Sequence, residues 1–466
     1  MISMRRTTAV LPDRQRRPAS LGVATLTMVM ILFFIMAMVA AYANRNLIYE
    51  QRTATNFYRE AASMSAAEAG IDWAMTMLSG GRIDADCKAS TSAADGDFRS
   101  RYLQLQSDGT YKPMLWSYVV PGVGSTVPRL TPLACVQGAA GWQCSCPSSD
   151  LASLPFIDGT APVLRVEVDS GGRPGVLIVR ARGCSNLGNN AGIQANPNQL
   201  DACHRASIKY ANKQPFVDSV IDLQVSLGLA RALPVPPVAA LTAGESVTMN
   251  GGSALNVSNA DPNTGIAVHV GTAINASNKN LGGPAGSSAA TTLEGDTELQ
   301  TLAQLLPSNV MKGKKPLFSS IFGIDPDTFK RQPGARIIDC SAGCTSADIA
   351  NSLANEPSRI IWIDGDINLD QAVTMGTTAQ PVMLVAAGKV TLSAAITING
   401  FVFGNMLTWE PGSVGSLING AAVAYHDVTG NAPVVIAYNA DILRTVSNSF
   451  GSFVRVPGSW QLTPIQ

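Results

Sequence analysis

The stretch Val23-Ala-Thr-Leu-Thr-Met-Val-Met-Ile-Leu-Phe-Phe34 decides how the N-terminal part of the chain folds. It lies in a run from Leu21 to Ala43 that holds no charged residue. As a helix with about 1.5 Å rise per residue, this run measures roughly 35 Å and exceeds the ~30 Å hydrocarbon core of a bilayer. Residues 5–17 carry five arginines against one aspartate, which favours the cytoplasmic side. We therefore expect one membrane-spanning helix whose N-terminus lies in the cytoplasm. The chain that follows the helix is expected on the opposite side of the membrane.

The helical pattern does not stop where the apolar run ends. From Asn44 to Leu78 the sequence is rich in alanine, holds no proline and repeats apolar residues near helical spacing. A secretory signal peptide would instead break after an apolar core of about 7 to 15 residues. Gly80-Gly81 is a plausible end signal. The sequence thus predicts one helix of roughly 80 Å over residues 23–80, with an amphipathic second half packed on a globular head.

Two motifs of this segment resemble a known family. The basic leader ends in Gly22 before the apolar run, and Ser65-Ala-Ala-Glu68-Ala-Gly-Ile-Asp-Trp73 follows it. Together they resemble the N-terminal domain of PilX-type pilus assembly proteins over about residues 12–80, and more generally class III signal peptides. The resemblance implies that residues 1–22 are a prepilin-type leader. It also implies that a prepilin peptidase cuts between Gly22 and Val23 and leaves Val23 with a free, usually methylated amine.

The sequence departs from the pattern of major pilins at the fifth mature position. Major pilins carry glutamate there, and its carboxylate can neutralise the N-terminal ammonium of a neighbour in the fibre core. Here the residue is Thr27, which has a hydroxyl and no charge. We therefore expect a minor or tip-located subunit that contacts other pilins through its N-terminal helix. The expected assembly helix includes Leu26, Thr27, Met30, Phe33, Phe34 and Glu68.

Composition narrows the class of the remaining chain. Lys plus Arg equals Asp plus Glu at 33 each, so no basic excess indicates a nucleic-acid partner. The low charged fraction of 14% and the abundant glycine favour extended β structure. Eight cysteines all follow the apolar segment, where an exported region would be oxidised, and their spacing does not match a metal cluster. We expect disulfides and no cofactor.

Residues 81–233 are expected to form a β-rich, disulfide-bearing head. Alternating apolar residues at 163–168 and 175–182 predict neighbouring strands of an antiparallel sheet. Cys184 and Cys203 bracket an Asn- and Gly-rich loop, so we expect them to pair. For Cys87, Cys135, Cys144 and Cys146 the sequence leaves all three pairings open.

A second domain is expected over residues 238–466, after the Pro-rich linker 234–237. Asn399-Gly400 and Asn419-Gly420 close similar apolar segments 20 residues apart, a spacing typical of one coil of a β-solenoid. A β-sandwich would also alternate but would not keep one register. Helical segments near 296–356 form an insert that caps or flanks the solenoid, and Cys340 and Cys344 within it are expected to close a small disulfide loop.

One acidic cluster is a possible ion site. Alternating oxygen-bearing residues project from one predicted strand and suit Ca²⁺, but their spacing lacks the glycine and the closing glutamate of an EF-hand loop. We favour a solvated turn. The residues are Asp364, Asp366, Asn368 and Asp370. No nucleophile, phosphate-binding or dinucleotide motif is evident, so we expect no enzyme.

These patterns predict an α+β protein with a long N-terminal transmembrane and amphipathic helix, a β-rich pilin-like head and a C-terminal mainly-β, solenoid-like domain. The resemblance implies a minor subunit of a type IV pilus that acts in assembly initiation, tip capping or adhesion. It also implies a single pass through a bacterial inner membrane, a periplasmic C-terminal region and display in a pilus at the cell surface. The alternative is a membrane-anchored periplasmic solenoid, either a carbohydrate-active enzyme or an adhesin outside any fibre.

Overall fold

The computed structural model of the chain covers most of the predicted elements. The residues described are 21–92, 94–106, 108–114, 116–119, 126–129, 133–146, 161–185, 219–286, 292–304, 315–355 and 360–462. Leader residues 1–20 and Cys203 lie outside them. The chain divides into two compact units, residues 1–59 and 60–466. The predicted α+β fold class, with a long apolar N-terminal helix and a β-rich C-terminal region, is confirmed.

Helix α1 runs without interruption over Leu21–Ser79 and belongs to both units. It ends where the sequence predicts, because Gly80 follows it and donates its backbone N–H to the carbonyl of Met77 over 3.2 Å. The second helix of the head is short, and Asp97 caps it by accepting a hydrogen bond from the N–H of Ser100. This helix, α2, spans Phe98–Tyr102.

Within the described residues, the head holds nine strands before the chain enters the solenoid. They are β1 Leu103–Leu105, β2 Tyr111–Pro113, β3 Trp116–Val119, β4 Thr126–Arg129, β5 Leu133–Gly138, β6 Gly141–Ser145, β7 Val163–Ser170, β8 Val176–Cys184 and β9 Val220–Arg231. Strands β5 to β9 pair antiparallel, in the meander that the alternation predicts. Strands β1 and β2, and β3 and β4, form separate antiparallel pairs.

The second part of α1 packs on this sheet through small side chains. Most of its buried positions carry small residues, and two carry larger apolar ones: Ser63, Ala66, Ala67, Gly70, Ala74 and Ser79, with Ile71 and Leu78. The contact is closest at Gly183 in β8, where a Cβ atom would lie 2.0 Å from the carbonyl oxygen of Ser63. Only glycine fits there, because any other residue would push helix and strand apart. The small residues of α1 therefore bring the helix backbone unusually near the sheet.

The solenoid is built from strands that pair in parallel. Those of the first part are β10 Ala239–Ala243, β11 Val247–Met249, β12 Ala254–Ser258, β13 Ile266–Val270, β14 Ile274–Asn275, β15 Asn278–Gly282 and β16 Thr292–Leu293. Those of the second part are β17 Ala335–Thr345, β18 Ile360–Leu369, β19 Val373–Met375, β20 Val382–Ala386, β21 Lys389–Leu392, β22 Ile396–Gly404, β23 Met406–Trp409, β24 Leu417–Ala424, β25 Val428–Gly430 and β26 Val434–Tyr438. A short 3-10 helix covers Pro411–Ser413.

The coils do not stack in the order of the sequence. The first coil, β10 to β12, pairs with β13 to β15 on one side and with β24 to β26 on the other. The chain therefore starts inside the stack, grows outward to β16 and crosses to the far end at β17. From there it returns through β18 to β24 until the last coil meets the first. We call the contact between first and last coil the seam.

An asparagine ladder explains the 20-residue period of the sequence. Asn399 pairs in register with Asn419, and Gly400 with Gly420. The side-chain amide of Asn419 donates to Asn399 over 2.9 Å, and that of Asn439 donates to Asn419 over 3.2 Å. Each coil thus passes one amide hydrogen bond to the next, which keeps the coils in one register.

The described helices cover one outer face and one end of the solenoid. They are α3 Thr297–Gln304, α4 Pro316–Phe322, α5 Pro326–Arg331, α6 Ser346–Asn355 and α7 Ala440–Ser449. Helix α6 packs on the core cluster, and the others pack on a separate cluster. Buried aromatic side chains join α4 and α5 to the coils: the Phe318 ring centroid lies 5.3 Å from that of Phe403 and 6.0 Å from that of Trp362. The segment expected as a helical insert near 296–356 contains α3 to α6 and also the end strand β17, whereas α7 follows the last coil.

The chain returns to the head after the solenoid, which differs from the expected boundaries. Strand β27, Gly451–Arg455, and strand β28, Gln461–Leu462, both pair antiparallel with β9. The head sheet thus has the order β27-β9-β8-β7-β5-β6. The expected C-terminal domain of residues 238–466 loses its last two strands to the head, because their edge-to-edge partners lie in β9. No local pattern in the sequence reports such a distant pairing.

Candidate functional site

The apolar surface of α1 in the first unit is the strongest functional feature of the chain. Its large apolar side chains are 50 to 71% exposed on every side of the helix. They are Leu26, Met28, Val29, Met30, Ile31, Leu32, Phe33, Phe34, Ile35, Met36, Met38 and Val39. The helix is long and apolar enough to cross a membrane. A contiguous surface of this kind needs lipid or other protein around it, because exposure to water would be costly.

The end of the apolar surface is marked by aromatic and basic residues. Tyr42 and Tyr49 flank Arg45, the first charged residue after the run, and all three are exposed. The Arg45 guanidinium lies 5.6 Å from the ring centroid of Tyr49. Tyrosine and arginine are typical of the interface between membrane and water, where a polar tip and an apolar body can both be satisfied.

The residues predicted for processing and assembly divide between the two units. Gly22 and Val23 lie in the first turn of α1, and Leu26, Thr27, Met30, Phe33 and Phe34 follow them in the first unit. Glu68 belongs to the second unit, where its side chain is exposed. It lies between the buried Ala67 and the partly buried Ala69 and points away from the sheet-facing side of the helix. Glu68 is therefore not grouped with the other assembly positions.

The cysteines are joined mainly within the head. Cys87 pairs with Cys146 and Cys135 with Cys144, which resolves the three pairings left open by the sequence. Cys340 pairs with Cys344 across a Cα–Cα distance of 5.1 Å. Cys184 is disulfide-bonded as well, while the Cys203 predicted as its partner lies outside the described residues.

The four calcium candidates each have a neighbour in an adjacent coil or helix. Asp364 lies 3.7 Å from the Lys330 ammonium, and Asp366 accepts a hydrogen bond from the N–H of Lys389 over 2.7 Å. Asn368 accepts from the hydroxyl of Ser393, and Asp370 from the N–H of Ser346 over 3.2 Å. Their oxygens thus bind the coils together. Across the described ranges, no three His, Cys, Asp or Glu side chains are grouped so that they could hold a metal ion.

Polar contacts at the seam could not be predicted from the sequence. Nδ1 of His426 lies 2.9 Å from Oε1 of Glu245, and the Ser246 hydroxyl donates to Asp427 over 2.6 Å. In each pair the two residues are 181 positions apart. The pattern of the sequence repeats every 20 residues, so it contains no signal for contacts at this separation.

A buried lysine beside the seam was also missed. Lys315 is 1% exposed, and its ammonium lies 4.9 Å from the ring centroid of Tyr425. Burial lowers the pKa of Lys315. Burial also raises the pKa of Tyr425 to about 12, and its hydroxyl donates to the carbonyl of Leu302 over 3.0 Å. The tyrosine ring offers the ammonium a cation–π contact in place of water. The pair anchors the start of α4 on the last coil.

Comparison with known proteins adds little. No family model and no curated protein matches the chain. A solved structure with a distant likeness is that of the competence-associated pilin ComZ from Thermus thermophilus, at 8% sequence identity and a TM-score of 0.18. That comparison covers 87% of this chain and 97% of the pilin. A TM-score of this size carries no argument, so the function must be inferred from the chain's own residues.

Proposed function

We propose that the chain is a minor pilin-like subunit of a type IV pilus, of the PilX type, which acts in assembly initiation, tip capping or adhesion. One observation carries the proposal: α1 is a single helix of 59 residues that combines two different surfaces. Its first part is apolar and exposed all round, and its last part buries small side chains against an antiparallel sheet. A subunit needs this combination if it is first inserted in a membrane and later packs its helix against the helices of other subunits.

The apolar surface of α1 would be covered by apolar groups both in the membrane and in a fibre. Lipid tails cover it before assembly, and the helices of other pilins and minor pilins cover it afterwards, so little hydrophobic free energy is lost on transfer. Thr27 supports a minor role. Without a carboxylate at this position, the subunit has no negative charge to neutralise the N-terminal ammonium of the next one. It would be added a few times, at the start or the tip, rather than repeatedly.

The bulky solenoid fits a terminal position in the fibre. We propose that it extends into the periplasm from the inner membrane and reaches the cell surface at the pilus tip. We also propose that the protein is not an enzyme. The carboxylates considered for calcium binding contact neighbouring coils and helices, as Asp366 contacts Lys389. Stacked coils of this kind offer a broad surface for adhesion or for partner subunits.

The proposal is tested by processing in cells that contain an active prepilin peptidase. The wild type is expected to lose residues 1–22, so mass spectrometry should identify Val23 as the first residue. A Gly22→Ala change should block the cut and leave the chain at full length. Ser20→Ala is the matched control, because it alters the leader two residues earlier and should be processed normally. A wild-type chain that keeps its leader in these cells would contradict the proposal.

A further inference from the structure

Strand β17 forms one end of the solenoid and has an open edge. It pairs with β18 on one side, and within the described part of the chain no strand pairs with its other side. Its residues are also more exposed than those of the inner strands: Ile337 is 47% exposed. Open edges of this kind tend to pair with another strand, and proteins usually cover or interrupt them.

Along β17, the backbone N–H and C=O groups of successive residues point alternately toward β18 and away from it. The carbonyl of Gly334 accepts a hydrogen bond from the N–H of Ile360, which orients Gly334 and every second residue after it toward β18. The residues between them point the other way, as Ala335 does when it donates to the carbonyl of Gln332. By this alternation, Ile337 directs both its N–H and its carbonyl away from the solenoid. It can offer a donor and an acceptor to an added strand.

A groove lies along this edge, between β17 and helix α6. Its volume is about 330 Å³, at the lower end of the range for ligand pockets. It is lined by Arg336, Ile337, Ile338, Asp339, Asp348, Asn351 and Ser352. The groove is therefore bounded by β17 on one side and by α6 on the other.

The Cys340–Cys344 disulfide limits the length of the open edge. The register between β17 and β18 shifts between these two residues, which marks a bulge. A bulge disrupts the ladder locally, and here regular pairing with β18 resumes only at Cys344. The regular edge is therefore a short segment, residues 335–339, and helix α6 lies along it with Ile349 buried in the solenoid core. The site is narrow and suits a single extended segment better than a broad surface.

The charged side chains that line the groove favour a ligand with basic residues. Asp339 accepts a hydrogen bond from the N–H of Ser341, and Asp348 accepts one from the N–H of Thr345. Both contacts lower the pKa of these carboxyls, so they stay charged at neutral pH. Arg336 is the cation among the seven residues that line the groove. An added strand with apolar residues and basic side chains would complement Ile337 and the two carboxylates.

We propose that this groove binds an extended, basic segment of a partner protein, which adds to β17 as a further strand of the solenoid. The main-chain bonds of Ile337 hold the segment. This mode is known as β-strand addition. The proposal does not depend on the function proposed above, because it rests on the end of the solenoid alone.

The test uses the full chain in detergent micelles and a fluorescent peptide. The peptide copies residues 360–369, the strand that already pairs with β17, with lysine in place of both aspartates. Fluorescence anisotropy should show saturable binding to the wild type. Ile337→Pro should weaken binding by at least about tenfold, since proline removes the outward N–H while the ladder to β18 keeps its bonds. Ile337→Thr is the matched control, because it keeps the N–H and should bind within about threefold of the wild type.

Further outcomes decide between occupants. The peptide that keeps both aspartates should bind more weakly, because its charges would repel Asp339 and Asp348. Equal binding to the wild type and to Ile337→Pro would overturn the proposal, as would the absence of saturable binding to the wild type. A wild-type dimer in sedimentation that Ile337→Pro converts to monomer would show that a second copy occupies the edge, and would also overturn it.

Discussion

The head and the solenoid are both β structures, but they are completed in different ways. Most solenoid strands find their partners about one coil away, as Asn399 finds Asn419. In the head, by contrast, the edge strand β27 pairs with β9, although all the solenoid strands lie between these two strands in the sequence. The head sheet can therefore be finished only after residues 239–438 have been made. Local repetition stabilises one region, and contacts of long sequence separation stabilise the other.

Removal of disulfide bonds should show the largest difference in stability between the head and the solenoid. Cys87 and Cys146 are 59 residues apart, whereas Cys340 and Cys344 are 4 apart. On the chain-entropy estimate, the first bond contributes about 4 kcal/mol to the free energy of unfolding and the second about 2 kcal/mol. All four residues are buried, so replacement by alanine leaves comparable cavities.

Two double variants test this difference: Cys87→Ala with Cys146→Ala, and Cys340→Ala with Cys344→Ala. Hydrogen exchange followed by mass spectrometry reports the stability of each region separately. The first variant should lose protection throughout the head sheet, and the second should lose it mainly at β17 and α6. Equal losses in both regions would show that head and solenoid unfold as one unit, and the comparison would fail.

Arg99 provides the second largest expected effect. Its guanidinium donates to the carbonyls of Ser449 and Gly451 over 2.8 and 2.7 Å, and also to the carbonyl of Leu78. It lies 4.8 Å from the ring centroid of Phe453. One side chain thus joins the end of α1 to the segment that returns from the solenoid. Arg99→Ala should lower the free energy of unfolding by about 3 kcal/mol, because charged hydrogen bonds to three carbonyls are lost.

The control for Arg99 is Arg180, which lies on the outer face of the head sheet. Its side chain is 48% exposed and lies 3.5 Å from Asp169. Exposed pairs of this kind contribute at most about 1 kcal/mol, so Arg180→Ala should change stability little. Urea denaturation of both variants measures the difference. If Arg99→Ala is as mild as Arg180→Ala, the return of β27 does not depend on this side chain.

Elements with local signals could be predicted from the sequence, whereas strand pairings between distant segments could not. Helix α1 was predicted nearly to its last residue, because apolar spacing and Gly80 are local signals. The solenoid was predicted from its period, because Asn399 and Asn419 occupy equivalent places in successive coils. Both predictions use information that lies within about 20 residues. The boundary at 238–466 was wrong at its end, since β27 and β28 pair with a strand more than 200 residues away.

The functional surfaces of the chain could be predicted from the sequence only in part. The exposed apolar residues of α1 could be named from the sequence, because a run without charge needs no partner to be recognised. The groove beside Ile337 could not, because it depends on which coil lies at the end of the stack. The sequence order places β10 first, yet that strand lies inside the stack between β13 and β24. Only the three-dimensional order identifies β17 as an open end.

The smallest expected effect concerns acid, and it again separates the two regions. Asp296 caps α3 by accepting hydrogen bonds from the N–H groups of Leu299 and Glu298, and it lies 2.7 Å from Nε2 of His269. The bond from Leu299 and the contact with His269 lower the pKa of Asp296. Asp325, which caps α5, has a lowered pKa because it accepts hydrogen bonds from Thr328. The helices that cover the solenoid thus depend on charged carboxylates at their starts.

A carboxyl with a lowered pKa in the folded state adds stability above its unfolded pKa of about 3.9, and this stability is lost as pH falls through the folded pKa. Between pH 5 and pH 3, amide protection should therefore fall in α3 and α5 before it falls in β7 to β9 of the head. Asp296→Asn keeps an oxygen for the cap but removes the charge, so it should flatten the pH dependence of α3 and leave that of α5 unchanged. An Asp296→Asn chain whose α3 still loses protection at the same pH would place the acid-sensitive group elsewhere in the solenoid.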